Sequence, residues 1–332
     1  MTKPPFIITI DTEGDNLWSR PQEIETRNAG YLPRFQELCE AYDQKPTYLV
    51  NYEMAISPAF VDFARDVQAR GTGEIGMHLH AWNSPPLAAL TDDDNRFHPY
   101  LIEYPDEAMA EKIGFMTKLL EDTFGTKMVS HRAGRWAFDA RYARILLDHG
   151  YKVDCSITPH VSWSSRRGDP AGRGGSNYRN CPETLYFTDP NDPKRPGASA
   201  LLEVPMTVKR RGGRFGRLVD DHTADQSLMR RAVQKICPLV SWLRPNGRNR
   251  SDMLALLDQV LADGTGHAEF MLHSSEFMPG GSPTFRDDAS IEALYDDMAA
   301  LFEAARDRFT GSTLAEVHAR TIASDRAYAA AS

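Results

Sequence analysis

The stretch Gly71-Thr-Gly-Glu-Ile-Gly-Met-His-Leu-His-Ala-Trp82 is an apolar run that leads into two histidines and then an aromatic residue. Residues two apart on an extended segment point to the same side. His78 and His80 can therefore offer both imidazoles to one point in space, as a divalent metal ion requires. The alternative for this stretch alone is two polar residues on the wet face of a strand, and residues far away in sequence must decide between the two.

Strands and helices alternate along the chain on both sides of this stretch. Short β-branched or apolar runs typical of buried strands are separated mostly by segments of helical spacing. The predicted strands are 6–10, 46–50, 74–78, 128–132, 151–156, 201–205 and 267–273. This rhythm predicts an α/β protein with a parallel sheet, either open or closed into a barrel.

Residues 158–197 break the pattern. Gly, Pro, Arg, Asn and Ser dominate this segment and no periodicity survives in it. An unstructured stretch of this length is unusual in a compact domain and is typical of a lid or a binding loop. Because strands resume after it, we predict one domain over residues 1–332, with 158–197 as an inserted loop and 311–332 as a short helical tail.

The composition is that of an ordinary globular protein. Of the 332 residues, 41% are apolar and 25% are charged, and the formal net charge of −8 argues against nucleic acid or an anionic membrane as the main partner. No run approaches the ~18 apolar residues of a membrane span. The first residues lack the features of an export signal, and the four cysteines form no CxxC pair. We therefore expect reduced thiols in a cytoplasmic protein.

Titratable residues occupy the carboxyl ends of the predicted strands, where parallel α/β folds place their active sites. These residues are Asp11, Glu13, His78, His80, His131, Arg132, Asp154, His273 and Glu276. One carboxylate and two imidazoles make a metal site that leaves positions open for water and substrate. A second carboxylate can act as a base that an arginine keeps ionised, and a further histidine can act as an acid. The set predicts metal-assisted hydrolysis of an amide or ester.

These motifs resemble those of the polysaccharide deacetylases of carbohydrate esterase family 4, the NodB-homology group, and within it the WalW-like branch found with lipopolysaccharide biosynthesis. The resemblance rests on Asp11-Thr-Glu13, Glu74-Ile-Gly-Met-His-Leu-His80, Arg132-Ala-Gly-Arg135 and Leu272-His273, and spans about residues 5–305. It implies a distorted (β/α)7 barrel, an incomplete TIM-like fold. It also implies a hydrolase that removes an N- or O-acetyl group from a sugar of a surface-polysaccharide or lipopolysaccharide precursor.

For the metal site, the resemblance implies that Glu13, His78 and His80 bind a divalent ion. Zinc is the default for such ligands, and cobalt, nickel or iron would also fit them. The family's second motif spaces its histidines four apart, whereas here they are two apart and Trp82 stands where the second would be. Alternatives to His80 as third ligand are the histidines left over from the motifs, which are His98, His131 and His160.

For catalysis, the resemblance implies that Asp11 is the base that activates water and that Arg132 orients it. His273 would protonate the leaving amine. A backbone N–H near Gly134 would stabilise the tetrahedral oxyanion. Asp154 is the candidate for the family's fourth motif.

Substrate contacts are expected around this set. Arg135 and Glu276 either touch the substrate or brace the loops, and Trp82, Trp136 and Trp163 either stack on a sugar or pack in the core. Without an export signal, the expected substrate is an intracellular sugar linked to a nucleotide or a lipid.

Three alternatives stay open on the sequence. The basic segment 209–217 is either a solvated loop or a grip for the phosphate of an activated sugar. The chemistry is either sugar deacetylation or metal-dependent hydrolysis of a non-carbohydrate C–N bond, as in the purine-degrading members of this fold. A non-catalytic sugar-binding protein is the third possibility, and the complete acid, base and ligand set argues against it.

Overall fold

The computed structural model of the chain describes residues 3–166, 168, 174–211 and 239–331. The strands are β1 (Pro5–Thr12), β2 (Pro46–Val50), β3 (Glu74–Leu79), β4 (Ser130–Ala133), β5 (Val153–Asp154), β6 (Tyr186–Asp189), β7 (Asp192–Pro196), β8 (Leu202–Glu203), β9 (Val208–Arg210), β10 (Val240–Trp242), β11 (Ala268–His273) and β12 (Thr310–Gly311). The helices are α1 (Leu32–Ala41), α2 (Tyr52–Ala55), α3 (Pro58–Arg70), α4 (Asp94–Phe97), α5 (Asp106–Phe124), α6 (Ala140–Asp148), α7 (Arg250–Ala262), α8 (Asp288–Arg306) and α9 (Leu314–Ala331). A helix predicted near 225–236 and most of the basic segment 209–217 lie outside the described residues.

Seven strands pair in parallel in the order β11-β1-β2-β3-β4-β5-β8, and they coincide with the seven predicted strands. The fold is therefore α/β with a largely parallel sheet. A regular strand–helix repeat does not hold along the whole chain, because the hairpin of β6 and β7 lies between β5 and β8 where the repeat would place a helix.

The expectation of an unstructured loop over 158–197 was wrong in the second half of that segment. β6 pairs antiparallel with both β7 and β8, so this part of the segment extends the sheet. The turn between the two strands is closed by Asp189, whose side chain accepts the backbone N–H groups of Asn191 and Asp192. Tyr186 and Thr188 are buried in alternation, a pattern too short to stand out among polar residues.

The sheet curls on itself like a barrel that is not fully closed. Arg132 on β4 contacts Asp11 on β1 and Glu269 on β11, although two strands lie between β4 and β1 in the sheet. These side chains therefore meet across the inside of the curl. The curl brings β11, at one edge of the sheet, close to the chain that follows β8. Here the backbone N–H of Glu269 on β11 donates to the side-chain hydroxyl of Thr207 at 2.8 Å. This contact involves a side chain and is not part of a ladder of backbone hydrogen bonds. This architecture agrees with the expected distorted barrel.

A small apolar cluster fills the end of the curl opposite the strand carboxyl ends. It joins Ile7, Leu49, Val153, Cys155, Leu202 and Val204 with Leu314 and Val317 at the start of α9. The helices outside the curl cover a much larger core, which includes Phe6, Ile8 and Ile10 on the other face of β1. The chain after 311 is therefore no short tail, since α9 has 18 residues and its first turns seal the interior.

Two expectations about the environment of the chain bear on the fold. Cys39, Cys155 and Cys181 are free, buried thiols, and Cys237 lies outside the described residues. Within the described part of the chain, none of the helices combines the length and the apolar character that crossing a bilayer demands.

Candidate active site

The register of the parallel strands brings the predicted site residues together. Asp11 pairs with His273 across β1 and β11, and His78 pairs with Arg132 across β3 and β4. Register partners in a parallel sheet point to the same face, so these four side chains share the inside of the curl at the carboxyl ends of their strands. Glu13, two residues after Asp11, lies on the same side.

Glu13, His78 and His80 form a buried cluster with the chemistry of a metal site. Their ligand atoms all lie within 4.8 Å of one another. The Nε2 atom of His80 is 2.8 Å from Glu13 Oε2, and that of His78 is 3.7 Å from the same oxygen. Ligands of a tetrahedral zinc ion at about 2.0–2.1 Å lie roughly 3.3 Å apart, so this donor set fits such an ion with little movement.

Neighbouring backbone groups orient the ligand atoms of the two histidines. The Nδ1–H of His78 donates to the Arg132 carbonyl at 2.9 Å, which fixes the tautomer and leaves the Nε2 lone pair facing the carboxylates. Gly134 packs so closely on His80 that a Cβ at that position would lie 2.7 Å from Nδ1. His80 Nδ1 is buried without a protein partner, so only its Nε2 is engaged.

The backbone at Glu13 is equally constrained. Its N–H donates to the Ser274 hydroxyl, which in turn donates to the Glu13 carbonyl, and Asn28 donates to that carbonyl as well. Burial raises the pKa of Glu13, but the nearby charges and hydrogen bonds of His273, His78 and His80 outweigh it and hold the pKa well below its usual value. Glu13 is therefore ionised, as a carboxylate must be to bind a metal ion.

Asp11 has one oxygen fixed and one oxygen directed at the cluster. Arg132 donates to Oδ1 at 2.6 Å, while Oδ2 lies 3.9 Å from His78 Nε2 and 3.8 Å from His273 Nε2. Burial raises the pKa of Asp11, yet the charges of Arg132, His78 and His273 outweigh burial and lower it. The carboxylate is thus ionised and placed as a base.

Arg132 has a second acidic partner that the sequence analysis missed. This fully buried side chain donates to Glu269 and to the Thr9 hydroxyl, besides Asp11 and the Cys155 carbonyl. Burial is the main cause that raises the pKa of Glu269 to about 7, although Arg132 opposes it. A charged residue inside an otherwise apolar strand was the signal in the sequence, because burying it requires a partner.

His273 completes the site on the side of β11. Its Nδ1 lies 3.0 Å from Glu276 Oε2, and its Nε2 faces Asp11 and Glu13. Arg244 donates to the same Glu276 oxygen at 3.0 Å, and the Trp18 ring packs edge-on against the imidazole. Although burial raises the pKa of Glu276, Arg244 and His273 lower it overall, so the carboxylate is ionised, and its contact with Nδ1 fixes the orientation of the His273 ring.

A cavity of about 490 Å³ opens above this set. Its floor contains Asp11, Glu13, His78, His80 and His273, and its walls include Trp18, Trp82, Tyr100, Trp136 and Trp163. Arg20, Arg135, Arg166 and Arg244 also line it. Of the residues predicted to touch substrate, Trp82 and Arg135 line the cavity, while Glu276 lies behind His273 and Gly134 behind His80.

Of the spare histidines, His131 and His160 are engaged elsewhere. The Nδ1 of His131 donates to Asp154 at 2.6 Å and its Nε2 accepts from Tyr142, and His160 contacts Glu183 and Arg210. The three-ligand group that the described residues form contains His80 and none of the spare histidines. Asp154 also bonds Ser156, which places it beside the core histidine.

Comparisons with known proteins establish the fold. No family model and no curated relative matches the chain. A protein of Parabacteroides distasonis provisionally assigned as a glycoside hydrolase or deacetylase superposes with a TM-score of 0.61 at 9% identity, over 96% of this chain and 71% of that one. A provisionally assigned polysaccharide deacetylase of Mycobacterium smegmatis gives 0.53 at 13% identity, over 98% and 93%. The 4-α-glucanotransferase of Thermococcus litoralis gives 0.50 at 13% identity, over 95% and 38%. One fold is thus shared by proteins described with different activities, so function has to be argued from the site.

Proposed function

We propose that the chain is a metal-dependent hydrolase that removes an acetyl group from a sugar. One observation carries the proposal: the Glu13–His78–His80 cluster adjoins an ionised aspartate fixed by Arg132 and a histidine backed by Glu276. These are a ligand set, a base and an acid in one cavity. A divalent ion bound by the three ligands would supply Lewis acidity that polarises the acyl carbonyl and acidifies water.

The side chains of this protein divide the proton transfers between them. Asp11 Oδ2 accepts a proton from water as the water oxygen bonds to the acyl carbon, and Arg132 keeps the carboxylate aimed at that position. His273 donates a proton from Nε2 to the leaving nitrogen, or to oxygen in an ester, as its bond to the acyl carbon breaks. The products are acetate and the free amine or alcohol. Glu276, 3.0 Å from Nδ1, holds the His273 ring in this orientation.

The walls of the cavity favour a sugar as substrate. Aromatic rings stack on the apolar faces of pyranose rings, and five aromatic side chains line this cavity. Two proteins with the same fold are provisionally described, one as a polysaccharide deacetylase and the other as a glycoside hydrolase or deacetylase, and these descriptions support the assignment. The motifs of the chain place it, in this proposal, in carbohydrate esterase family 4 and in its WalW-like branch. Its substrate would be a surface-polysaccharide or lipopolysaccharide precursor.

The finer features of the proposal follow from the same residues. Zinc is the ion that best suits one carboxylate and two imidazoles. The free thiols of Cys39, Cys155 and Cys181 are typical of a cytoplasmic protein, in which precursor sugars are carried on nucleotides or lipids. A backbone N–H near Gly134 is the proposed oxyanion donor, and Trp82 and Arg135 are the proposed substrate contacts.

The test is metal analysis followed by an acetate-release screen. Purified protein should bind about one equivalent of metal, and the loaded protein should release acetate from N- or O-acetylated sugars. Asp11→Asn should keep the metal and lose acetate release. Hydrolysis of ureides or cyclic imides instead of sugars would move the function to a non-carbohydrate amidohydrolase. Protein that binds no metal after incubation with zinc would contradict the hydrolase mechanism.

A further inference from the structure

The cavity above the cluster is richer in cations than the rest of this acidic protein. Four arginines line it against two carboxylates, Asp11 and Glu13, whereas the chain as a whole carries a formal charge of −8. The proposed metal ion would add further positive charge. A concave site lined by one sign of charge attracts ligands of the opposite sign.

Among the arginines of this cavity, Arg135 is partly buried and has no acidic partner within the described residues. It is half-buried, and its Nη2 donates to the Asn95 side-chain oxygen at 2.7 Å. Among the residues that the structure describes, no carboxylate lies within ion-pair distance of it. Burial is the main cause that lowers the pKa of Arg135, and the charge of Arg20 adds to it, although Tyr100, Glu13 and Glu103 act in the opposite direction at longer range. A partly desolvated guanidinium in this state gains from a bound anion, because charge-assisted hydrogen bonds are the stronger ones.

Arg244 is a contrasting case in the same cavity. Its guanidinium already donates to the ionised Glu276, so its charge is compensated within the protein. Arg135 differs because its hydrogen-bond partner among the residues that the structure describes, Asn95, is neutral.

The backbone around these cations is held in an unfavourable conformation. Arg135 and Trp136 both have left-handed φ angles, of 54° and 60°, and Arg20 has a φ of 53°. Non-glycine residues rarely adopt this region, and those that do cluster at ligand sites. All three line the cavity.

We propose that the substrate is an acylated saccharide that carries an anionic group, a phosphate or a carboxylate, and that Arg135 binds this group, with Arg20 and Arg166 at the rim of the cavity. This inference rests on the proposed sugar deacetylase and names the class of its substrate. A guanidinium offers two parallel N–H donors, so Arg135 would bind a phosphate and a carboxylate in the same way. Trp136, next to Arg135, is placed to pack on the attached sugar ring.

The experiment measures binding apart from turnover. Dissociation constants are determined by calorimetry for N-acetylglucosamine, its 1-phosphate and the corresponding 6-carboxylate, with metal-loaded protein that carries Asp11→Asn, so that the ligands are not hydrolysed. We expect one or both anionic sugars to bind about 10- to 100-fold tighter than the neutral one. Which anion binds more tightly distinguishes a phosphate-linked sugar from a uronic acid. The preference should weaken as salt concentration rises.

Matched variants assign the effect to the cavity. Arg135→Gln should remove most of the preference for the anionic sugar over the neutral one, while Arg135→Lys should keep part of that preference. The control is Arg65→Gln, which makes the same charge change at a residue of α3 that bonds the Thr123 carbonyl away from the cavity. Circular dichroism confirms that each variant is folded.

The outcomes separate this inference from the proposed function. Equal affinity for neutral and anionic sugars, or the same loss of preference in Arg65→Gln, would overturn the role of Arg135. Acetate release from neutral sugars together with equal affinities would leave the deacetylase intact and reject the anionic substrate. An anion preference that depends on Arg135, in a protein that releases no acetate, would support the inference and reject the hydrolase.

Discussion

Two consecutive residues of β4, His131 and Arg132, point to opposite faces of the sheet, and both meet acids. His131 faces α6, where both of its ring nitrogens are bonded, one to Asp154 and one to Tyr142. Arg132 faces the inside of the curl, where it fixes one oxygen of Asp11 and leaves the other directed at the cluster. We call His131 and Asp154 the closed pair, because both ring nitrogens of His131 are bonded within the protein. Arg132 and Asp11 on the other face form an open pair, because one oxygen of Asp11 is directed at the cluster.

The difference shows what turns a histidine–carboxylate contact into a reactive site. Burial dominates at His131 and lowers its pKa, so this imidazole stays neutral and fully bonded in the core. At the cluster, burial would lower the pKa of His78, but Asp11 and Glu13 outweigh it and raise it. In the cluster, the ligand atoms converge without using up one another's hydrogen-bonding capacity, so they can still bind an ion and a substrate. In the closed pair, both ring nitrogens of His131 are already bonded, so none is available to a ligand.

The largest expected effect concerns the two aspartates of this comparison. Asp11→Asn removes the base and should lower kcat for acetate release by about 10²–10⁴ while the metal is retained. Asp154→Asn makes the same change in the closed pair and should leave kcat unchanged in the folded protein. Steady-state kinetics and metal analysis of both variants check this. Loss of metal in Asp11→Asn would make Asp11 a ligand instead of the base.

The two histidines give the next largest effect. His78→Ala should weaken metal binding more than about 100-fold, since the loss of an orienting partner alone costs about 10- to 100-fold. His131→Ala should bind the metal as the wild type does. Competition with a chromophoric chelator measures both affinities. Equal weakening in the two variants would show that the closed pair and the open cluster do not differ in the way described.

A smaller effect is expected in stability. Tyr142→Phe leaves His131 Nε2 buried without its donor and should lower the free energy of unfolding by about 1–3 kcal/mol, with metal content unchanged. Urea denaturation measures the difference. Tyr104→Phe, which removes the hydroxyl that donates to Asp94 outside this pair, is the matched control for metal content. A change in metal content confined to Tyr142→Phe would mean that the two faces of β4 are coupled.

The last effect is a pH dependence of stability that arises on the interior face of the sheet. The pKa of Glu269 is about 7 in the folded protein, above its usual value near 4.5, so folding favours its protonated form. Its contribution to stability is therefore full below about pH 4.5 and is lost as the pH rises through 7. The stability difference between wild type and Glu269→Gln should fall over this interval by up to about 1.4 kcal/mol per pH unit. Parallel stability curves for the two proteins would contradict this assignment.

The regular elements and the ends of the strands were predictable from local signals. Seven strands and most helices followed from apolar periodicity, and titratable residues after apolar runs marked Asp11, Glu13, His78 and His273. The hairpin of β6 and β7 was missed because its strands are short and lie in a polar segment, so that only pairing with β8 stabilises them. The extent of α9 was underestimated because its contacts with Ile7 and Leu49 are distant in sequence.

The sequence by itself determined which residue types stand at the strand ends, and with them the strand order along the chain and the chemistry available to a site. Only the tertiary structure decided which of these residues work together. His131 and Arg132 are neighbours in sequence, yet strand alternation sends one to the core and the other to the site. Arg244 and Glu269 join the site from a loop and a strand far from Asp11 in the sequence, because the curl of the sheet brings its ends together. That curl is set by long-range pairing, which no local pattern encodes.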